Sequence, residues 1–205
     1  MPATAPRWLL AAAGIVVGLG AGTVAIASGQ TDDHDHDDAV AYARLMDASG
    51  ERVGRVEFRA THGRIVVSGR VAGVAPGFHG FHVHSVGACD PAAVDATGQP
   101  SPFFSAGGHL NPAGTDHGGH AGDMPPLLVL GDGTAYARYT TDRFDLGTLL
   151  DADGSAVIIH AAPDNLANIP SRYQSRESPA PGPDAPTLQT GDSGARHACG
   201  VIAER

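Results

Sequence analysis

His82 and His84 stand two apart in Phe81-His82-Val83-His84, a run in which bulky apolar residues and imidazoles alternate. On a strand, residues two apart share a face. Both imidazoles can then converge on one metal ion, while Phe81 and Val83 turn into a core. Each ring carries a polar nitrogen that is costly to bury bare, and a shared metal satisfies both. On this stretch alone, a half-buried strand with its histidines facing water is the plain alternative. A second cluster follows in Gly108-His109-Leu110 and Asp116-His117-Gly118-Gly119-His120-Ala121-Gly122-Asp123. His109, His117, His120 and Asp123 share no regular period, and three imidazoles with one carboxylate make a tetrahedral zinc set. His160 closes the apolar run Val157-Ile158-Ile159.

The other histidines read differently. His62, beside Gly63, belongs to a turn. His79 falls on the opposite strand face from His82 and reads as a structural hydrogen-bonding residue. His197 reads as structural or exposed. His34 and His36 lie in Thr31-Asp32-Asp33-His34-Asp35-His36-Asp37-Asp38, an acidic stretch with nothing to bury. A plain solvated spacer is favoured there over loose metal capture.

The elements that must position these groups are strands. With 28 glycines and 15 prolines in 205 residues and few helical patterns, an all-β domain with many turns is expected. Strands are predicted over 39–46, with Val40, Tyr42, Arg44 and Met46 on one face, then over 53–60, 65–71 and 77–84. A hairpin is predicted over 127–140 around Asp132-Gly133, a strong turn signal. Further strands are predicted over 157–160 and 196–202. The stretch 90–103 reads as loop. The stretch 164–194 reads as a long proline-rich loop, and such a loop in a compact domain is usually functional.

Arg7 precedes an uncharged run from Trp8 to Ala27 that ends in Ala25-Ile26-Ala27, a small-x-small pattern. Residues 1–27 read as a secretory signal or an uncleaved membrane anchor, with 28–38 as linker and 39–205 as the folded domain. Either reading exports the domain to the periplasm, cell envelope or exterior. There Cys89 and Cys199, the two cysteines, would be oxidised by default. No CxxC motif is present, which excludes a zinc ribbon or a thioredoxin-type site. The net charge of −9 makes nucleic acid an improbable partner. The chain has no lysine, so arginine carries its fixed positive charge.

Several ordered segments carry a resemblance. Gly-Phe-His-Val-His-Ser-Val-Gly from Gly80, Ser-Ala-Gly-Gly-His-Leu-Asn-Pro from Ser105, Asp116-His117-Gly118, His120-Ala121-Gly122-Asp123 and Ala195-Arg196-His197-Ala198-Cys199-Gly200-Val201-Ile202 stand in sequence. Together they resemble the copper–zinc superoxide dismutase family of the exported bacterial type, over roughly residues 39–202. The resemblance implies a Greek-key β-sandwich, a flattened eight-stranded barrel with long metal-binding and substrate-guiding loops. It implies copper on His82, His84, His109 and His160, and zinc on His109, His117, His120 and Asp123, with His109 bridging the two. It further implies that Asp164 links a copper ligand to a zinc ligand, that Arg196 draws in the superoxide anion, and that Cys89 pairs with Cys199. Closing a loop of about 100 residues is worth roughly 4–5 kcal/mol in the chain-entropy model.

The implied activity converts superoxide to O2 and hydrogen peroxide by alternate reduction and reoxidation of copper, with His109 also relaying protons. An acidic chain repels the anion at long range, so local positive charge must steer it. Arg196 is the main candidate, with Arg172 and Arg176 either adding to the field or simply solvating the long loop. Homodimer formation is left open. Two departures stand out. The segment from His117 to His120 is much shorter than the family usually shows, so zinc must be held from a tight Gly118-Gly119 turn, and copper without zinc is the alternative. The lysines often found in the guiding loop are missing. A second class of function is an exported copper-buffering protein on the same fold, which has no need of Arg196.

Overall fold

The computed structural model describes residues 40–205. The leader, the linker and His34 and His36 lie outside the described residues.

Alternation builds the sheet. In β1 (Val40–Asp47) the small or branched residues Ala41, Ala43 and Leu45 are fully buried, while Tyr42 and Arg44 point outward. The same period-two logic runs through β2 (Arg52–Thr61), with Val56 and Phe58 inside, and β3 (Arg64–Val71), with Ile65 and Val67 inside. The chain continues through β4 (Gly77–His79), β5 (Phe81–His84), β6 (Leu127–Val129), β7 (Ala135–Thr141), α1 (Leu146–Leu149), β8 (Ala156–His160), α2 (Ala185–Thr190) and β9 (Arg196–Glu204). Seven strands form one antiparallel sheet in the order β5-β8-β9-β1-β2-β3-β7, and β4 pairs with β6. Only Gly80 separates β4 from β5, and a tight turn separates β6 from β7. The small pair therefore connects to both edges of the large sheet. This is the expected all-β fold with out-of-order strand neighbours.

The interior is filled by Leu45, Val56, Phe58, Val67, Phe81, Val83, Val157, Ile159 and Ile202. A smaller cluster of Phe103, Ala106, Ala156, Ile158 and Cys199 covers the opposite face of β8. That opposite face, continued by β5, also carries the histidines. The Cys89–Cys199 disulfide is formed, with Cα atoms 5.7 Å apart and 110 residues between them in sequence. It ties the loop after β5 to β9.

Three expectations need correction. The stretch 77–84 is not one strand: it breaks at Gly80, and its halves join different sheets. Gly80 still bonds on the β8 side, its N–H donating to the Ala162 carbonyl at 2.9 Å and its carbonyl accepting from the His160 N–H at 2.8 Å, while the residues before it turn to β6. The Ser193 side chain fills the place a Cβ on Gly80 would take. Residues 127–140 do not form a simple hairpin. The turn closes, with Leu130 N–H donating to the Thr134 carbonyl at 2.8 Å, but β6 pairs with β4 and β7 pairs with β3. The long loop is not wholly irregular either. The Asp184 carboxylate accepts from the Thr187 N–H and starts α2, which ends at Gly191 in the left-handed region.

Candidate metal centre

β5 and β8 are paired so that His82 stands opposite Ile158 and His84 opposite Ala156. This register puts His82, His84 and His160 on one face, with Phe81, Val83, Val157 and Ile159 on the other. His82, His84, His109 and His160 bring one ligand atom each within 4.8 Å of one another, and so do His109, His117, His120 and Asp123. All six histidines are buried. His109 belongs to both groups, and its ring centroid lies 4.0 Å from that of His82 and 5.2 Å from that of His120.

The hydrogen bonds define which nitrogens are free. His84 Nδ1–H donates to the Gly107 carbonyl at 2.9 Å, and His160 Nδ1–H donates to the Gly194 carbonyl at 3.1 Å. Both Nε2 atoms are then bare acceptors, and they face each other at 3.4 Å. Two lone pairs cannot bond to one another; a cation between them resolves the contact. Asp164 accepts from His82 Nε2 at 2.5 Å through one oxygen and from His117 Nε2 at 2.8 Å through the other. Those two rings turn Nδ1 toward the two groups: His82 Nδ1 is buried with no hydrogen bond, and His117 Nδ1 faces Asp123 at 3.3 Å. A buried bare nitrogen on one side and an imidazole–carboxylate cluster on the other fit a centre that takes metal. Gly191 must approach this linkage bare: a Cβ there would lie 2.2 Å from His117 Nε2, and the residue sits at φ 62°.

The shortened turn does bring His117, His120 and Asp123 together with His109. Asp123 Oδ1 lies 2.8 Å from His109 Nδ1 and 3.3 Å from Nδ1 of both His117 and His120. The other oxygen accepts from Gly118 N–H at 2.7 Å and His120 N–H at 3.1 Å. One carboxylate thus faces the three imidazoles and closes the turn behind them. Gly118, at φ 86°, makes the bend accessible. Arg143, just beyond β7, is the residue that sequence reasoning missed. Its guanidinium donates to the Gly118 carbonyl at 2.8 Å and the Asp123 carbonyl at 3.1 Å, clasping both ends of the turn. Nothing in the sequence around an isolated arginine signals that contact.

Charge is set by surroundings. Burial, then neighbouring histidines and Arg196, holds His84 well below its ordinary range. Burial and His82 bring His160 down to about 3. Burial likewise lowers His82 and His120. For His117, burial is outweighed by the carboxylates of Asp123 and Asp164, which raise it to about 9. Burial works to raise both aspartates, but hydrogen bonds from the histidines prevail and hold them below the usual carboxylate range.

A cleft of about 690 Å³ opens onto His84, His109, His160 and Arg196, with Gln189 and Thr190 of α2 on its wall. Arg196 donates to the Phe103 carbonyl and to the Gly107 carbonyl. The disulfide holds the loop that bears those carbonyls. His79 sits apart from both groups, its ring nitrogens 2.7 and 2.8 Å from the carbonyl oxygens of His160 and Ala75, as expected of a structural residue. His62 sits in the β2–β3 turn at φ 47°.

A family model described as copper/zinc superoxide dismutase matches residues 52–202. The chain belongs to the copper/zinc superoxide dismutase family. The copper–zinc superoxide dismutase of Mycobacterium tuberculosis is 44% identical over 162 residues, covering 77% of this chain and 68% of that protein. Copper–zinc superoxide dismutase 1 of Salmonella typhimurium is 34% identical over 165 residues, covering 77% of this chain and 81% of its own length. Among solved structures, a double mutant of a SOD-like protein from Bacillus subtilis is 30% identical with a TM-score of 0.59, covering 78% of this chain and 95% of that one. The dismutase reading therefore stands over copper buffering, and the two histidine groups fit copper and zinc as its cofactors.

Proposed function

We propose that this chain disproportionates superoxide at the His82, His84, His109 and His160 group, with copper held there and zinc held by His109, His117, His120 and Asp123. The observation that carries the reading is the pair of bare Nε2 atoms of His84 and His160, facing each other at the foot of a cleft that also exposes Arg196. Copper, when bound, supplies the one-electron exchange between two superoxide molecules. The chain's own residues do the rest. Arg196, with carbonyl partners fixing its guanidinium, offers a positive charge to a small anion entering the cleft. His109 is held through Nδ1 on the Asp123 side, which leaves Nε2 to hold and release a proton at the cleft. Asp164 orients His82 and His117 together, coupling the two metal groups.

Residues 1–27 act in this reading as an export signal or an anchor, residues 28–38 as a spacer and 39–205 as the enzyme, working outside the cytoplasm. A homodimer is compatible with it. Arg196→Ala is the test. The dismutase rate should fall at least about tenfold, within the range that local steering supplies, while copper affinity, read by chelator competition, stays the same. An unchanged rate would remove Arg196 from the mechanism. Bound copper with no dismutase rate in the wild-type protein would return the buffering reading.

A further inference from the structure

On the half of the sheet away from the histidines, the outer face of β1-β2-β3-β7 carries Arg44, Arg55, Arg59, Arg64, Arg70 and Arg138. Their strand neighbours Ala43, Leu45, Val56, Phe58, Ile65 and Ala137 turn toward the core, so the arginines turn away from it. Six of the chain's 13 basic side chains thus share one face of a protein with net charge −9. Glu57 is the one acid among the described positions of that face. The strand register sets Arg44 opposite Arg55, and Arg55 opposite Arg70. Like charges directly opposite on neighbouring strands destabilise a sheet, and nothing in the core requires them there.

Three of the guanidinium groups lie against tyrosine rings. Arg44 and Arg55 lie over the Tyr42 ring at 5.5 and 4.6 Å, and Arg70 lies over Tyr136 at 5.6 Å. Arg55, Glu57, Ser68, Arg70, Tyr136 and Arg138 line a recess of about 270 Å³. One Arg55 Nη pairs with Glu57 at 2.9 Å, while its Nε is buried with no hydrogen-bond partner. A planar guanidinium matches phosphate oxygens bidentately, and tyrosine rings beside cations suit a headgroup layer. Residues 28–39 alone separate the apolar run Trp8–Ala27 from β1, and a segment of that length spans at most about 40 Å.

We propose that this arginine face docks on the phosphate headgroups of an anionic lipid bilayer, leaving the metal cleft, on the other half of the sheet, open to solution. The inference does not depend on the dismutase reading. The full-length holoenzyme is sedimented with vesicles of phosphatidylcholine alone and with vesicles that also contain phosphatidylglycerol. Insertion of the apolar run does not require lipid charge, so the difference between the two reads the face. At about fivefold per arginine near an anionic surface, three of the six seated on phosphates at one time give the wild-type protein a preference of about a hundredfold for the anionic vesicles. It should lose that preference in about 1 M salt, where the screening length falls to about 3 Å. The triple variant Arg55→Gln, Arg70→Gln, Arg138→Gln should lose most of the preference with its dismutase rate unchanged. If that variant unfolds, Arg44→Gln with Arg59→Gln and Arg64→Gln, all exposed positions, makes the same test. No preference in the wild-type protein, or an undiminished preference in a folded variant, overturns the proposal. Binding to inorganic polyphosphate without binding to vesicles overturns it in favour of a soluble polyanion.

Discussion

The two halves of the metal centre are built by different means. His82, His84 and His160 stand on β5 and β8, where strand register alone sets their spacing, and the fully buried Val83, Val157 and Ile159 brace them from behind. His117, His120 and Asp123 stand on a turn that touches β5 only through a single bridge, Asp123 opposite His82, with Val83 N–H donating to the Gly122 carbonyl at 2.9 Å. They are held by the Asp123 carboxylate, by Asp164 and by the Arg143 clasp. The first half is positioned by packing. The second is positioned by a few backbone bonds and by side-chain polar contacts, and one substitution can remove any of the latter. Changes at the strand half should therefore cost chemistry, and changes at the turn half should cost metal retention first.

Removing the shared residue should break both halves at once. His109→Ala is expected to lower the dismutase rate at least about a hundredfold and to weaken both metals, because loss of even the supporting partners of a ligand costs 10–100-fold. A rate within tenfold of wild type would show that the two groups work independently. The disulfide comes next. Cys89→Ser with Cys199→Ser should lower unfolding free energy by about 2–5 kcal/mol, read by denaturant titration, and should slow the enzyme by freeing the loop whose carbonyls hold Arg196. Asp164→Asn sharpens the comparison, since it serves both halves. Zinc affinity should fall about 10–100-fold and copper affinity should fall less, because the strand register survives. Arg143→Gln should act on the turn alone: zinc affinity drops by about tenfold in chelator competition, copper affinity is unmoved, and Arg143→Lys restores part of the loss.

Acidity offers a smaller and opposite signature for each half. In the metal-free protein His160 sits near 3, below its ordinary 6.5. Between those values the unfolded chain binds more protons, so stability falls as pH drops through that window. His117 is raised to about 9, so its contribution is full below 6.5 and is lost as pH rises through 9. Metal-free stability should therefore be greatest near pH 6.5, and a series of thermal melts from acid to alkaline pH checks it. Zinc replaces the His117 proton, so the alkaline decline should disappear in the zinc form and the acid decline should remain.

Much of the strand half was legible in the residues. The alternation of Phe81, His82, Val83 and His84 states its own geometry, the ordered motifs around His109 and Arg196 pointed to those residues, and Asp164 followed only from the family resemblance. The turn half was legible as a set of ligands but not as an arrangement, because no period describes a loop. Arg143 is distant in sequence and finds its partners only through the fold. The break at Gly80 comes from β4 pairing with β6, nearly fifty residues further along, and no local pattern foretells it. The helix α2 spans six residues, too short for an apolar stripe; its signals were its ends, the Asp184 cap, Pro186 in the first turn and Gly191 after the last. The arginine face was hidden for a similar reason. Its members are scattered over four strands, and only register makes them neighbours.

The central claim is that a turn this short still completes a second metal group beside the strand-built one. Metal content by mass spectrometry, taken with a superoxide disproportionation assay on the same full-length protein, tests it most directly. One copper and one zinc per chain with rapid turnover is the predicted result. Rapid turnover with copper and no retained zinc, after loading with both metals, would contradict it.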